Sequence, residues 1–481
     1  MSLQQAKQLI KECFESQEPY LDLGNCGITD LNDVPELFEC THLETLVLST
    51  TWWNYEQKEW IHSQNNGADN KLIALPKELS SLFNLSALYC HSLFSEGANL
   101  KVLATLNKLS ILYLNSNKIS DISFLQKLTQ LTSLYLSYNN IVDISFLQNL
   151  IQLEHLHLSS NEIEEISSLQ NMTQLTNLDM SDNNIADISF LQDLRQLEYL
   201  ELSYNKTLDI RFLQNLTQLK TLHLRSNKKL DLSYLLNLKQ LTTLDLCYNK
   251  KTDYSLLQNM TQLTNLDISD NNIADVSFLQ SLKKLTTLSI GNNKKLDTSQ
   301  LKNMTQLITL NIYNNKFTDI SFLKNFKKLK TLNLNVNKKI ADYSPLQNLK
   351  KLETLTMSDS KVSDISFFQN MTHLINLNLG YNKISDVSSL QNLKKLKELN
   401  LSNNTVSDIS CLQKLKKLET LNLSENEITQ IPESFFNQFE TLNLEEYGGD
   451  GLSISHNPLT RPPYEVCKEG RQAVLDWYTA P

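Results

Sequence analysis

The chain has 481 residues, with 44 Lys and Arg against 53 Asp and Glu and a formal net charge of −9. This acidic balance argues against nucleic acid as a partner, because a phosphate backbone requires a basic face. No segment approaches a membrane span, and the opening residues MSLQQAKQLIKECFESQEP contain no apolar core of a signal peptide. We therefore expect a cytoplasmic chain without a membrane partner, whose seven scattered cysteines stay reduced.

Residues 1–20 predict an N-terminal cap helix. One apolar stripe at helical spacing is formed by Ala6, Leu9, Ile10, Cys13 and Phe14. We expect this stripe to cover the apolar edge of the structure that follows.

Residues 21–108 predict irregular repeats with an insertion. Short strands centre on Leu21-Asp-Leu23 and Leu46-Val-Leu48, and the segment after the second strand, STTWWNYEQKEWIHSQNNGADNK, fits no repeat. It carries Trp52, Trp53 and Trp60. Aromatic side chains in a polar loop either pack against a sheet edge or form a binding hot spot, and both remain open here.

From 109 to 430 the sequence repeats every 22 residues on the pattern LxxLxLxxNxIxDISxLQNL. Clear copies are LTSLYLSYNNIVDISFLQNL at 131–150 and LTNLDMSDNNIADISFLQDL at 175–194. A fixed period of this length indicates a solenoid, in which each repeat buries its apolar face against its neighbours. The leucines of LxL point to one face of a short strand, and the residue between them points to the other.

The Asn of each repeat, as in Asn139 and Asn183, follows the strand where the backbone must turn. Its amide both donates and accepts, so a column of such residues would satisfy buried backbone groups. Ser360 replaces this Asn after one 23-residue step and predicts a looser turn. The Ser of DIS occupies the position of an N-cap, so we expect a helical turn to begin there on the opposite face.

Two departures from the pattern are informative. In four repeats the apolar residue after the Asn is replaced by Thr207, Lys229, Lys251 and Lys295. A buried unpaired Lys is too costly, so we expect a local bulge that directs it outward. Separately, residues 169–192 and 257–280 are nearly identical and lie 88 residues apart, which indicates duplication of a four-repeat block.

The pattern ends after the repeat containing Asn426. Residues 431–460 predict a last irregular repeat, with a strand at Leu452-Ser-Ile454. Residues 461–481 predict a C-terminal cap helix. Its inner face would be formed by Val466, Val474, Leu475 and Trp477.

These repeats resemble the 22-residue class of leucine-rich repeats found in internalins and in phosphatase regulatory subunits. The resemblance implies an α/β solenoid, a leucine-rich-repeat horseshoe with a parallel β-sheet on the concave face and short helical turns or loops on the convex face. The two ends, AKQLIKECFESQEPYLDLGNCGITDLNDVPELFECTHLETLVLS and NPLTRPPYEVCKEGRQAVLDWY, resemble bacterial leucine-rich-repeat proteins of the Roco type. In that family such a closing segment commonly leads into a Roc GTPase domain.

The concave positions of the first half are rich in residue types that anchor protein interfaces, notably Tyr, His and Arg. The candidate partner-binding residues are Tyr113, Tyr135, Tyr138, His155, His157, Asp179, Tyr199, Glu201, Tyr204, His223 and Arg225. In the second half the same positions carry Thr and Asn, such as Asn333 and Asn378. We interpret these as residues that merely suit a sheet surface.

No catalytic, cofactor-binding or metal-binding grouping is predicted. His155 and His157 lie on one strand, but His223 lies three repeats further along, too far to share a metal ion with them. Asp179 with Asp182, and their copies in the duplicated block, are either weak cation sites or solvated polar residues. No GxxxxGK[ST] phosphate loop occurs. We therefore expect no enzymatic activity and no cofactor.

The sequence favours a non-enzymatic scaffold that holds a protein or peptide on the concave face of its first half. The alternative is the sensor or regulatory arm of a Roco-type GTPase, with a GTPase module present if the natural chain continues beyond Pro481. A secreted adhesin is disfavoured. A second candidate surface is a Lys-edged stripe, which would either bind an acidic partner or only aid solubility. It comprises Lys283-Lys284, Lys327-Lys328, Lys350-Lys351, Lys394-Lys395 and Lys416-Lys417.

Overall fold

The computed structural model describes residues 2–54, 59–206, 208–227, 230–293, 296–444 and 449–480. The chain divides into two compact units, Met1–Asp245 and Leu246–Pro481. Each unit contains a run of short parallel strands that pair in register, leucine beside leucine. The α/β solenoid architecture, with a parallel sheet on one face and short 3₁₀ turns on the other, is confirmed.

In the first unit the parallel sheet follows the order β1–β2–β6–β8–β9–β10–β11–β12–β13–β14. β3 and β4 form an antiparallel hairpin, and β5 pairs with β7. The strands are β1 (Tyr20–Asp22), β2 (Thr45–Val47), β3 (Thr51–Asn54), β4 (Glu59–His62), β5 (Leu72–Ala74), β6 (Ala87–Tyr89), β7 (Phe94–Asn99), β8 (Ile111–Tyr113), β9 (Ser133–Tyr135), β10 (His155–His157), β11 (Asn177–Asp179), β12 (Tyr199–Glu201), β13 (Thr221–His223) and β14 (Thr243–Asp245).

In the second unit the strands pair in sequence from β15 to β22, after which β24 pairs with both β22 and β23. The strands are β15 (Asn265–Asp267), β16 (Thr287–Ser289), β17 (Thr309–Asn311), β18 (Thr331–Asn333), β19 (Thr354–Thr356), β20 (Asn376–Asn378), β21 (Glu398–Asn400), β22 (Thr420–Asn422), β23 (Leu442–Asn443) and β24 (Gly451–Ser453).

The predicted Asn column is confirmed as a structural ladder. Asn183 Nδ2 donates to the carbonyl oxygens of Leu158 at 2.9 Å, Met180 at 3.3 Å and Ser181 at 3.1 Å. Its Oδ1 accepts from the backbone N–H of Ile163 at 3.0 Å. One amide therefore bonds both its own turn and the preceding repeat. The ladder thus satisfies buried backbone groups that strand pairing leaves unbonded.

The short helices are 3₁₀ turns, and the predicted cap residue is wrong by two positions. Ser145 begins its helix, and its backbone N–H donates to the carboxylate of Asp143 at 2.8 Å. The Asp of DIS therefore caps the turn, because a carboxylate two residues before the N–H reaches it without strain. The 3₁₀ helices are Leu31–Asp33, Pro35–Glu39, Lys77–Ser81, Lys101–Thr105, Ser123–Lys127, Ser145–Leu147, Ser167–Leu169, Ser189–Asp193, Ile210–Asn215, Leu232–Leu235, Ser255–Asn259, Ser277–Ser281, Thr298–Leu301, Ser321–Asn325, Ser344–Asn348, Ser366–Asn370, Ser388–Asn392 and Ser410–Lys414.

The α-helices lie near the two ends of the chain. They are α1 (Ser2–Ser16), α2 (Glu433–Gln438), α3 (Tyr464–Lys468) and α4 (Arg471–Thr479). In α1, Ala6, Ile10 and Cys13 are buried, whereas Phe14 of the predicted stripe is exposed. The closing segment forms two helices where one was predicted, because Gly470 at φ 99° separates α3 from α4. Among the described residues, no helix combines the length and apolar character needed to cross a bilayer.

The residue just before each ladder Asn adopts a left-handed backbone conformation. Tyr138, Asp182 and Val336 have φ of 58°, 52° and 61°. Non-glycine residues rarely adopt this conformation. Here it turns the chain out of the strand and directs the side chain away from the core.

The bulge prediction is tested only in part. Thr207, Lys229 and Lys295 lie outside the described residues. One position further on, Leu208 and Leu230 are buried, whereas Leu296 is half-buried.

Candidate functional site

Strand register places the third residue of each strand in one column along the sheet surface of the first unit. After Asp22 of β1 and Val47 of β2, this column contains, in order along the sheet, Tyr89, Tyr113, Tyr135, His157, Asp179, Glu201, His223 and Asp245. Neighbours in such a column are about 4.8 Å apart, so their side chains must contact one another. From Tyr89 onward the column is first aromatic and then charged.

The aromatic part of the column is a packed row in which each ring contacts the next. Ring centroids of Tyr89 and Tyr113 are 6.1 Å apart, those of Tyr113 and Tyr135 are 4.9 Å apart, and those of Tyr135 and His157 are 4.9 Å apart. The ring of Trp52, on β3, packs against Tyr89 with a centroid distance of 6.1 Å. Tyr113 and Tyr135 are consequently only 2% and 1% exposed.

Hydrogen bonds within the column hold its charged part. Asp179 Oδ1 accepts from the backbone N–H of Ser181 at 3.0 Å and from its hydroxyl at 2.7 Å. Its Oδ2 lies 3.9 Å from His157 Nδ1. Asp179 is mostly buried, and its carboxylate bonds Ser181, two residues beyond the end of its own strand. This is contrary to the interpretation of Asp179 as a solvated residue.

Beyond Asp179 the charges are paired. The Glu201 carboxylate lies 2.6 Å from His223 Nδ1 and accepts from the backbone N–H of Ser203 at 2.8 Å. The Arg225 guanidinium donates to Asp245 at 3.2 Å. His223 and Arg225, both predicted to contact a partner, thus have partners within the chain.

These environments shift the pKa values of His157 and His223 in opposite directions. Burial lowers the pKa of His157 to about 4, so this imidazole is neutral at pH 7. Burial also acts to lower the pKa of His223, but the hydrogen bond and charge of Glu201 outweigh it and raise the pKa above its ordinary value. For Glu201 burial acts to raise the pKa, and the bonds from His223 and Ser203 lower it overall. Burial raises the pKa of Asp179.

An open basin of about 930 Å³ lies on this sheet surface. The buried column residues form its floor, and the left-handed residues contribute the exposed side chains of Tyr138 and Tyr204. Trp60 of the β3–β4 hairpin lies at one end, 6.1 Å from His91. The basin is lined by Trp60, His91, Tyr113, Asn115, Ser116, Ser137, Tyr138, His157, Ser159, Ser160, Asp179, Ser181, Asp182, Tyr199, Glu201 and Tyr204.

The basin brings together seven of the eleven predicted residues. These are Tyr113, Tyr138, His157, Asp179, Tyr199, Glu201 and Tyr204. Tyr135 packs in the row between Tyr113 and His157, and His155 lies half-buried at the start of β10. His223 and Arg225 do not line the basin, but His223 contacts two of its lining residues, Glu201 and Tyr199.

The sequence interpretation missed the small polar residues between strand and ladder. The Asn115 side chain accepts from the backbone N–H of Ser137 at 2.7 Å, and the Ser159 hydroxyl donates to the Ser137 hydroxyl at 2.9 Å. After Tyr135, Asn115 thus takes the place of the carboxylates of Asp179 and Glu201, which accept from the equivalent N–H groups of Ser181 and Ser203. The recurring Ser of the LxLSxN pattern was the available signal.

Trp52 fits the hypothesis of packing against the sheet, and Trp60 fits the hypothesis of a binding hot spot. Trp52 is buried against Tyr89, whereas Trp60 is half exposed beside the basin. The side chain of Trp53 lies outside the described residues.

Within either unit, the described residues contain no cluster of three His, Cys, Asp or Glu side chains close enough to share a metal ion. The Lys-edged stripe belongs to the second unit. All ten of its lysines are exposed.

Comparisons with known proteins identify the class. The family model described as leucine-rich repeats (2 copies) matches residues 107–149, 151–193, 261–303, 305–348 and 394–438, and a second leucine-rich-repeat model matches 361–406. An internalin (inlF) from Listeria monocytogenes str. 4b F2365 is 35% identical over 62% of this chain and 89% of its own, with a TM-score of 0.54. The chain therefore belongs to the leucine-rich-repeat family.

More distant structures share the fold alone. The functional domain of InlJ from Listeria monocytogenes is 24% identical over 73% of this chain and 77% of its own, with a TM-score of 0.51. TLR13 in its complex with ssRNA13 is 22% identical over 92% of this chain and 66% of its own, with a TM-score of 0.60. No curated protein sequence matches the chain.

Proposed function

We propose that this chain is a non-enzymatic scaffold that holds a protein or peptide partner in the basin of its first unit. The observation that carries the proposal is the exposure of large aromatic side chains around the floor of the basin. Tyr138 is 65% exposed and Tyr204 is 49% exposed. Aromatic residues of this kind commonly dominate the binding energy of protein interfaces.

The floor supports the same proposal. The aromatic row and the bonded carboxylates are fixed by their neighbours, so a ligand would meet a preorganised surface. Preorganised surfaces lose little conformational entropy on binding. The acidic lining also supports a protein or peptide rather than a nucleic acid.

The test uses three tyrosines at the same position of their repeats. Tyr138 and Tyr204 lie in the basin, while Tyr381, with the same backbone conformation and 59% exposure, lies in the second unit. Tyr138→Ala and Tyr204→Ala should each weaken partner binding by about fivefold or more. Tyr381→Ala should leave it unchanged. Partners captured from a native lysate would be identified, purified and titrated against each variant.

Equal affinities for the three variants would refute binding in the basin. A loss of partner affinity that is restricted to Tyr381→Ala, or to variants of the Lys-edged stripe, would place the binding site in the second unit. An acidic partner would then be the better match for the exposed lysines.

The Roco-type resemblance of the two ends supports a second proposal, a regulatory arm of a GTPase. Since the chain lacks a phosphate-binding loop, the purified 481-residue protein should show no saturable GTP binding by calorimetry. The coding sequence beyond Pro481 would reveal whether a GTPase module follows.

We also propose a cytoplasmic location. The odd number and scattered positions of the seven cysteines support a reducing compartment. Cell fractionation with an antibody against the chain tests it.

A further inference from the structure

The duplicated block places the same acidic residue in two different surroundings. Asp182 and its copy Asp270 both occupy the left-handed position, with φ of 52° and 55°. In the second unit, Asp270 accepts a hydrogen bond from the Tyr313 hydroxyl and another from Asn292 Nδ2 at 2.6 Å. The second copy is thus filled by donors from its own chain.

A glycine makes this filling possible. A Cβ atom at Gly291 would collide with the ring of Tyr313, so the ring can cross to Asp270 only because no side chain is present there. Tyr313 is a donor that reaches across two repeats to a carboxylate.

The first copy has no equivalent of the glycine, the asparagine or the tyrosine. The residues 88 positions before Gly291, Asn292 and Tyr313 are Ser203, Tyr204 and Arg225. Arg225 donates to Asp245, so Asp182 keeps an exposed carboxylate whose Oδ2 accepts from the Ser160 hydroxyl at 2.9 Å. Asp182 lines the basin, which occupies the space above this first copy.

The basin around Asp182 has an excess of negative charge. Its described lining includes the carboxylates of Asp179, Asp182 and Glu201 and no Lys or Arg. Burial lowers the pKa of His91 and of His157, so neither imidazole supplies a positive charge at pH 7. The carboxylate of Glu201 is paired with the imidazole of His223 at 2.6 Å.

We propose that the basin receives an arginine side chain of the protein partner, with its guanidinium group bound to Asp182 between aromatic rings. The inference rests on the proposed function and names the chemistry that the site recognises. Tyr199 and Tyr204 supply faces on which a planar guanidinium can stack, and the carboxylate can accept two of its N–H groups. Lysine offers neither the planar shape nor the paired donors.

The test is a selection of random linear peptides displayed on phage against the immobilised full chain. Arginine should be enriched among peptides whose binding is lost with Tyr204→Ala. Asp182→Asn should weaken synthetic versions of these peptides by about fivefold or more, because it removes the charge from a partly exposed pair. Asn is tolerated at this left-handed position, as Asn314 and Asn403 show, so the variant should fold.

Asp270, the copy of Asp182, provides the matched control. Asp270→Asn makes the same chemical change in nearly the same sequence but outside the basin, and it should leave peptide affinity unchanged. Replacing the peptide arginine by lysine should weaken binding as well.

The outcomes separate the two proposals. Peptides that depend on Tyr204 but show no arginine enrichment, or bind Asp182→Asn normally, would overturn the inference and leave the proposed function intact. A selection that yields no peptide dependent on the basin would overturn both.

Discussion

Two tyrosines three residues apart show how differently neighbouring positions of one repeat behave. Tyr135 is packed between Tyr113 and His157, while Tyr138 projects from a left-handed turn. Tyr135→Ala would leave a cavity in the aromatic row and should destabilise the protein by about 3 kcal/mol. Tyr138→Ala should change stability by less than about 0.5 kcal/mol.

Chemical denaturation of both variants, followed by circular dichroism, provides the measurement. The sequence pattern predicts instead that Tyr135 is a partner-binding residue on the sheet surface. A small loss of stability for Tyr135→Ala would support that prediction and would show that the aromatic row is only a surface feature.

At the scale of the repeating element, the Asn ladder joins each repeat to the one before it. Asn183→Ala removes an amide that bonds four backbone groups and leaves Ile163 N–H and Leu158 O without it. We expect a loss of about 1–3 kcal/mol. Asn184→Ala, which changes the exposed residue next to it, should cost less than about 0.5 kcal/mol.

Denaturant midpoints, together with amide hydrogen exchange of Ile163, would distinguish the two variants. Asp182→Ala is unsuitable as a control, because Asp tolerates the left-handed backbone conformation at this position better than Ala does. Similar losses for Asn183→Ala and Asn184→Ala would contradict the structural role of the ladder.

The pair formed by His223 and Glu201 links strands β12 and β13 and predicts a pH dependence. The pKa of His223 is raised above 6.5, so its contribution to stability is complete below that value and lost as pH rises through the folded pKa. The pKa of Glu201 is lowered below 4.5, so its contribution is present above that value and lost as pH falls through the folded pKa. The pair therefore stabilises most between these two values.

Glu201→Gln should reverse the trend for His223, because burial alone lowers the pKa of an imidazole. On going from about pH 5.5 to about pH 8.5, the wild type should lose more stability than Glu201→Gln does. Urea titrations at both pH values measure this difference. An equal or larger loss in the variant would show that the pair does not couple folding to protonation.

At the scale of the whole molecule, the 22-residue period sufficed to predict the parallel strands, the buried leucines and the ladder. Each of these depends on residues that recur, such as Leu156 and Asn183, and recurrence is visible in a sequence. The cap of the 3₁₀ turn was misplaced, because both Asp143 and Ser145 are good capping residues and only geometry decides between them.

The candidate site was harder to predict, because its properties depend on neighbours one period apart. Nothing local to Tyr135 shows that Tyr113 and His157 will bury it. Likewise, the sequence predicts that Asn378 merely suits a sheet surface, yet its side chain accepts from the backbone N–H of Gly380 at 3.0 Å. A sequence pattern identifies which residues share a face, but not which of them bond each other.

The ladder has a consequence for how such a gene can change length. In the regular repeats its bonds join residues whose numbers differ by fixed amounts, such as 20 between Ile163 and Asn183 and 25 between Leu158 and Asn183. Recombination between near-identical copies adds or removes whole periods, so every donor finds an equivalent acceptor in the rearranged chain. Recombination can therefore lengthen or shorten this protein in whole repeats without disturbing the hydrogen bonds that stabilise its fold.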